Sequence, residues 1–112
     1  MTDYVLVVIS CGSAEEAEAL AGALVKESLA ACVSLVPSIT SFYCWEGQFQ
    51  RETEWLLLAK TRVALVGDLT ARVNELHSYE VPEVIAVPIE AGSQAYLHWV
   101  GSNTTSGKLS PC

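Results

Sequence analysis

The chain has 112 residues, enough for one domain that buries roughly two thirds of the surface its unfolded form exposes, and no second core fits. Thirteen acidic against six basic side chains leave a formal charge of -7, which repels phosphate backbones and anionic headgroups and so excludes nucleic acid and membrane surfaces as partners. The start, "MTDYVLVVIS", lacks the basic residues and longer apolar region of a signal peptide, and no run approaches the roughly 20 apolar residues of a membrane span, so a cytoplasmic location is expected.

Tyr4 to Ile9 is a nearly unbroken apolar run, as expected of a strand lying central in a sheet or covered on both faces. It ends at Ser10-Cys11-Gly12. Ser13 with Glu16 makes a capping-box signature, and Ala17, Leu20, Ala21, Leu24 and Val25 then share one face of a helix from about Ala14 to Ser28. From Cys32 to Trp45 apolar residues alternate with polar ones in a strand bent at Pro37, and Phe49 to Thr61 repeats the alternation. The two strands form a hairpin. Setting Trp45 opposite Phe49 brings Ile39 across from Trp55 and Leu35 across from Ala59, which favours an odd loop or a bulge over a two-residue turn.

Leu65, Leu69, Val73 and Leu76 mark a second helix, Val84 to Ile89 a fourth strand, and Gly92-Ser93 opens a short helix holding Tyr96, Leu97 and Trp99. The polar stretch "GSNTTSGKLSPC", residues 101–112, is expected to be disordered, leaving residues 1–100 as a single domain. The order β-α-β-β-α-β with an added C-terminal helix predicts an α+β, ferredoxin-like antiparallel sheet with a long hairpin. Cysteines at 11, 32, 44 and 112 show neither a C-x-x-C pair nor the density of a disulfide scaffold, and are read as free thiols.

The reach from Cys32 to Trp45 would extend roughly 46 Å at about 3.3 Å per residue, whereas a compact chain of this length is about 34 Å across. The hairpin must bend or protrude. A protruding tip bearing Phe42, Tyr43, Trp45 and Phe49 is an exposed apolar patch that another copy of the chain would cover.

These residues resemble a known family. The stretch "SLAACVSLVPSITSFYCWEGQFQRETEWLLLAKT", followed by "HSYEVPEVIAVPI" and "YLHWV", is similar to the CutA family, the divalent-cation-tolerance proteins, from Tyr4 to Val100. The pieces that carry the resemblance are A-A-C at Ala30 to Cys32, Y-x-W-x-G at Tyr43 to Gly47, Lys60-Thr61, Y-x-x-P-E at Tyr79 to Glu83 and Y-L-x-W at Tyr96 to Trp99. The resemblance implies a ferredoxin-like protomer in a homotrimer whose hairpins pair with neighbouring subunits, with Tyr43, Trp45 and Trp99 at the interface.

The same resemblance implies copper or another divalent cation held at Cys11 and His77, with Glu80 or Glu83 adding oxygen; soft or borderline metals suit a thiolate and an imidazole. Leu76 stands where family members with "HHPY" carry a first histidine, which implies weak or moderate affinity. Cys11 lies just before the first helix, where unpaired N–H groups favour a thiolate. The competing reading makes Cys11 a small apolar residue and His77 a helix C-terminal cation.

No G-x-G-x-x-G or G-x-x-x-x-G-K occurs, and no acid–base or nucleophile constellation is assembled, so an enzyme is not expected. His98 reads as packing or solvent-facing, Glu52 and Glu54 as sharing a polar strand face, and Lys60 and Arg62 as strand-edge ion-pair partners. Three functions compete: a metal-responsive trimer, a trimeric small-molecule sensor resembling the PII-type signal proteins, and a structural trimer anchoring a protein partner the sequence does not identify.

Overall fold

The computed structural model describes residues 2–105. Its elements are β1 (Tyr4–Cys11), α1 (Ala14–Lys26), β2 (Cys32–Trp45), β3 (Gln48–Arg62), a 3-10 turn (Val63–Leu65), α2 (Val66–Leu76), β4 (Val84–Pro88) and α3 (Gln94–Ser102). The strands form one antiparallel sheet in the order β2-β3-β1-β4, the split arrangement expected of the α+β reading.

Alternation decides what the sheet buries. Val5, Val7 and Ile9 of β1 and Leu57 and Ala59 of β3 face Ala17, Leu20 and Leu24 of α1 and Leu69 and Val73 of α2, forming the core. The residues between them point the other way: Leu6 and Val8 are half-buried, and Ile85 and Val87 of β4 are 53% and 45% exposed. On that second face α3 meets Tyr4 and Cys32 through Gly101 and Tyr96, and leaves Ile85 and Val87 open. Ser13 caps α1 as predicted, its hydroxyl accepting from the Glu16 N–H at 3.2 Å, but the Glu16 carboxylate turns away to Ser78.

The hairpin register differs from the sequence expectation. Trp45 pairs with Gln48, not Phe49, across a two-residue turn in which Glu46 (φ 50°) and Gly47 (φ 79°) are both left-handed, as a type I′ turn requires. The irregularity lies mid-strand instead, between Val36 and Ile39, where Pro37 lacks a donor and Ser38 has φ 55°. This splits the aromatic residues between two faces. Ser41, Tyr43 and Trp45 share one with Gln48, Gln50 and Glu52, while Phe42 and Cys44 share the other with Phe49 and Arg51. The molecule is 44 Å along its longest axis, against 28 and 22 Å across.

The C-terminal expectation is also corrected. Helix α3 continues through Gly101 and Ser102, and Thr104 is buried: Arg62 donates from Nε to its Oγ1 at 2.9 Å and from Nη2 to its carbonyl at 2.8 Å. The Thr105 N–H reaches the Ser28 carbonyl at 3.1 Å. Short polar residues thus bind backbone and guanidinium groups here and do not remain unpaired. Residues 106–112, with Cys112, lie outside the described residues. Nor do Lys60 and Arg62 make edge ion pairs: β3 is an interior strand, and Lys60 donates to the Ser34 hydroxyl at 2.6 Å.

Candidate functional site

Cys11 is the last residue of β1, paired with Trp55, and its side chain is fully buried. The expectation of a thiolate favoured by a helix terminus fails here. Burial first, then the nearby charges of Glu16 and Glu54, push the thiol up to about 12. His77 is the C-cap of α2, its N–H still bonded to the Val73 carbonyl, and the chain then turns extended and carries the ring over the end of β1. Both ring nitrogens are engaged. Nδ1 accepts the Tyr79 N–H at 3.0 Å, which leaves Nε2–H to donate to the Ser10 carbonyl at 2.7 Å, the neutral tautomer.

Glu16 completes the group. Its Oε1 lies 3.9 Å from His77 Nδ1. Burial disfavours ionisation of this carboxyl, yet the hydrogen bonds from the Ser78 hydroxyl and N–H, with the Gly12 N–H, outweigh it and hold the group below its ordinary range. One ligand atom each from Cys11, Glu16 and His77 lie within 4.8 Å of one another, the one such group of His, Cys, Asp and Glu found among the described residues.

Glu80 and Glu83 do not join it. They line a neighbouring cleft of about 760 Å³ with Tyr43, Trp45, Glu54 and Tyr79, and Glu83 accepts the Ser10 hydroxyl at 3.3 Å. Glu54, read from sequence as a mere polar-face residue, is 6% exposed and accepts the Tyr79 hydroxyl at 2.7 Å. Tyr79 in turn is pushed above its ordinary range by burial and by that carboxylate. Three carboxylates make this cleft hostile to a nucleotide's phosphates. The aromatic residues expected at an interface are exposed: Tyr43 and Trp45 on the hairpin, and Trp99, 5.6 Å from Tyr96, on α3. His98 is solvent-facing.

A four-stranded antiparallel sheet with an overlong hairpin and a third helix places the molecule in an α+β class shared with the divalent ion tolerance proteins. Residues 5–103 match the family model described as CutA1 divalent ion tolerance protein, and the chain belongs to that family. It is 47% identical over 100 residues to "Protein CutA, chloroplastic" of Arabidopsis thaliana, with 89% of this chain and 55% of that protein covered. Among solved structures, the divalent cation tolerance protein of Thermus thermophilus is 45% identical with a TM-score of 0.89, covering 91% of this chain and 99% of that one. The periplasmic divalent cation tolerance protein CutA of Archaeoglobus fulgidus is 38% identical with a TM-score of 0.84, covering 87% and 94%.

The chain spans about half the length of the Arabidopsis protein and of several other curated relatives. The cytoplasmic expectation does not hold: relatives sharing this domain are named chloroplastic and periplasmic. The folded domain recurs across compartments, so its composition carries no address.

Proposed function

We propose that the chain is a divalent-cation-binding protein, acting as a homotrimer and not as an enzyme, which takes copper or zinc at Cys11, Glu16 and His77. The observation that carries this reading is the convergence of a thiol, a carboxylate and an imidazole within 4.8 Å. That donor set fits a borderline metal with water completing the shell. Glu16 replaces Glu80 and Glu83 as the oxygen donor of the proposal. Binding has a cost, because Nδ1 of His77, the ring nitrogen beside Glu16, must release the Tyr79 N–H, and the Cys11 proton must leave from a thiol raised to about 12. Affinity is therefore modest and rises with pH, with about one proton released per ion at neutral pH.

Support for self-association comes from the uncovered sheet face around Ile85 and Val87 and from the exposed hairpin aromatics. Calorimetric titration with Cu²⁺ and Zn²⁺ in buffers of different ionisation heat tests the metal. Binding should weaken at least about tenfold in a Cys11→Ser, His77→Ala double variant, and equal heats in both proteins would replace this site with scattered surface carboxylates. Sedimentation tests the assembly: a trimer is expected for the wild type and smaller species for Ile85→Glu.

A further inference from the structure

Ser78 and Tyr79 donate four hydrogen bonds, and three of them end on the proposed ligands. The Ser78 N–H reaches Glu16 Oε2 at 2.7 Å, its hydroxyl reaches Oε1 at 3.1 Å, and the Tyr79 N–H reaches His77 Nδ1 at 3.0 Å. The fourth leads away, from the Tyr79 hydroxyl to Glu54 Oε2 on β3 at 2.7 Å. Between these ends the Tyr79 ring lies 4.7 Å from the His77 ring and close over Gly12, where an added Cβ would meet its hydroxyl at 3.0 Å. One half-buried residue therefore touches both His77 and the hairpin.

Glu54 stands at the base of that hairpin. Strand β1 pairs with β3 only as far as Trp55, so Glu54 is the first residue of β3 beyond its reach. Across the hairpin it pairs with Ile39, the first partner past the irregularity at Pro37 and Ser38. The phenol of Tyr79 thus braces the hairpin where the sheet no longer supports it on that side.

Cation binding and this brace draw on one atom. Neutral imidazole offers a single lone pair, here on Nδ1, and that pair now accepts the Tyr79 N–H. Nδ1 is also the nitrogen beside Glu16 Oε1, at 3.9 Å. It can act as a ligand only by releasing Tyr79, whereas Glu16 has lone pairs enough to keep Ser78. An amide left without an acceptor in a half-buried place is unfavourable, and the segment relieves this by turning the N–H to water.

We propose that Tyr79 is a latch. Closed, it ties His77 to Glu54; when Nδ1 is given to a cation, residue 79 turns outward and withdraws its phenol, so that occupancy at the end of β1 frees the base of the hairpin. The latch rests on the metal reading above and adds to it a route by which a bound cation changes the shape of the protein. Such coupling is reciprocal, so whatever opens the latch tightens cation binding by the same factor. A residue that only oriented His77 has the opposite sign, because loss of an orienting partner weakens metal binding.

The test uses the full chain in its solution assembly, with Zn²⁺ as the probe. At saturating Zn²⁺, hydrogen exchange of the Tyr79 N–H should quicken at least about tenfold in the wild type, while that of Leu57, buried in β3, stays unchanged. In calorimetric titration the Tyr79→Phe, Glu54→Gln double variant, which removes the bond without leaving a bare charge, should bind Zn²⁺ about fivefold more tightly than the wild type. Loss of the Glu54 carboxylate by itself weakens attraction for a cation, so simple electrostatics gives the reverse sign. Zn²⁺ binding undiminished in the Cys11→Ser, His77→Ala protein would overturn the metal reading and the latch together. Binding lost in that protein, but with Tyr79 exchange insensitive to Zn²⁺ or with no tightening in the Tyr79→Phe, Glu54→Gln variant, would overturn the latch alone.

Discussion

Tyr79 and Glu54 are 25 residues apart in the chain, and the phenol of one donates to the carboxylate of the other at 2.7 Å. The bond ties the loop after α2 to the long hairpin, and it is the only side-chain hydrogen bond Glu54 makes among the described residues. Tyr79→Phe removes the donor and leaves the buried charge bare. The expected loss is about 1.5–3 kcal/mol in urea unfolding, and pairing it with Glu54→Gln should recover part of that loss because the charge is then gone.

The buried Cys11 thiol, raised to about 12, should be nearly inert to a thiol reagent at pH 8 in the native protein, while exposed Cys44 reacts readily. Counting thiols before and after denaturation checks this. Rapid native labelling of Cys11, located by peptide mass spectrometry, would mean that the end of β1 opens easily.

Glu16 contributes stability with a definite pH sign. Its carboxyl is held below the ordinary value of 4.5, in spite of burial, by the Ser78 hydrogen bonds, so the stabilisation is present above that value and fades as pH falls through the lower folded one. Glu16→Gln should therefore cost about 1–2 kcal/mol at pH 7 and progressively less toward acid. Urea midpoints measured from pH 7 downward at fixed protein concentration read this directly, and a gap that stays constant with pH would assign the loss to packing.

Much of this fold is legible in the chain because periodicity and caps are local. The runs of β1 and β2, the Ser13 cap and the convergence of Cys11 with His77 all follow from patterns within a few residues or from the family resemblance. What is not legible depends on distance in sequence. Glu54 sits in a clean alternation with Glu52, and nothing nearby signals that a tyrosine from the loop after α2 closes over it. The same holds for Glu16, whose capping-box spacing predicts a backbone partner while the fold supplies Ser78. The hairpin register departs for a different reason: the Pro37 bend is visible in the sequence, but matching the apolar faces puts the irregularity at the turn, and one residue of slip moves every side chain to the other face.

The Glu46-Gly47 turn gives a prediction free of contacts, since a Cβ at Gly47 would meet nothing within 4 Å. Gly47→Ala should still destabilise by about 1 kcal/mol, because φ 79° is costly for any residue with a Cβ. Glu46→Asn should do the reverse by some tenths of a kcal/mol, as asparagine suits the first position of this turn. Unchanged thermal midpoints in both variants would mean that the tip is not held in this geometry in solution.

Arg62 makes the C-terminal boundary testable. Its guanidinium donates to both the hydroxyl and the carbonyl of Thr104, whose hydroxyl also donates to the Val100 carbonyl at 2.9 Å, and Thr105 reaches back to Ser28 at the end of α1. Ending the chain at Val100 removes all of these partners. It also leaves a part-buried cation without its acceptors, so a loss of about 2–4 kcal/mol is expected in urea unfolding. A chain ending at Thr105 keeps every one of these bonds and should be more stable than the shorter chain by that amount. The smaller change Thr104→Val, which preserves shape and removes the hydroxyl, should cost about 1–2 kcal/mol and locates the effect at the Arg62 contact. Equal stability of the two truncated chains would mean that residues 101–105 add nothing to the fold.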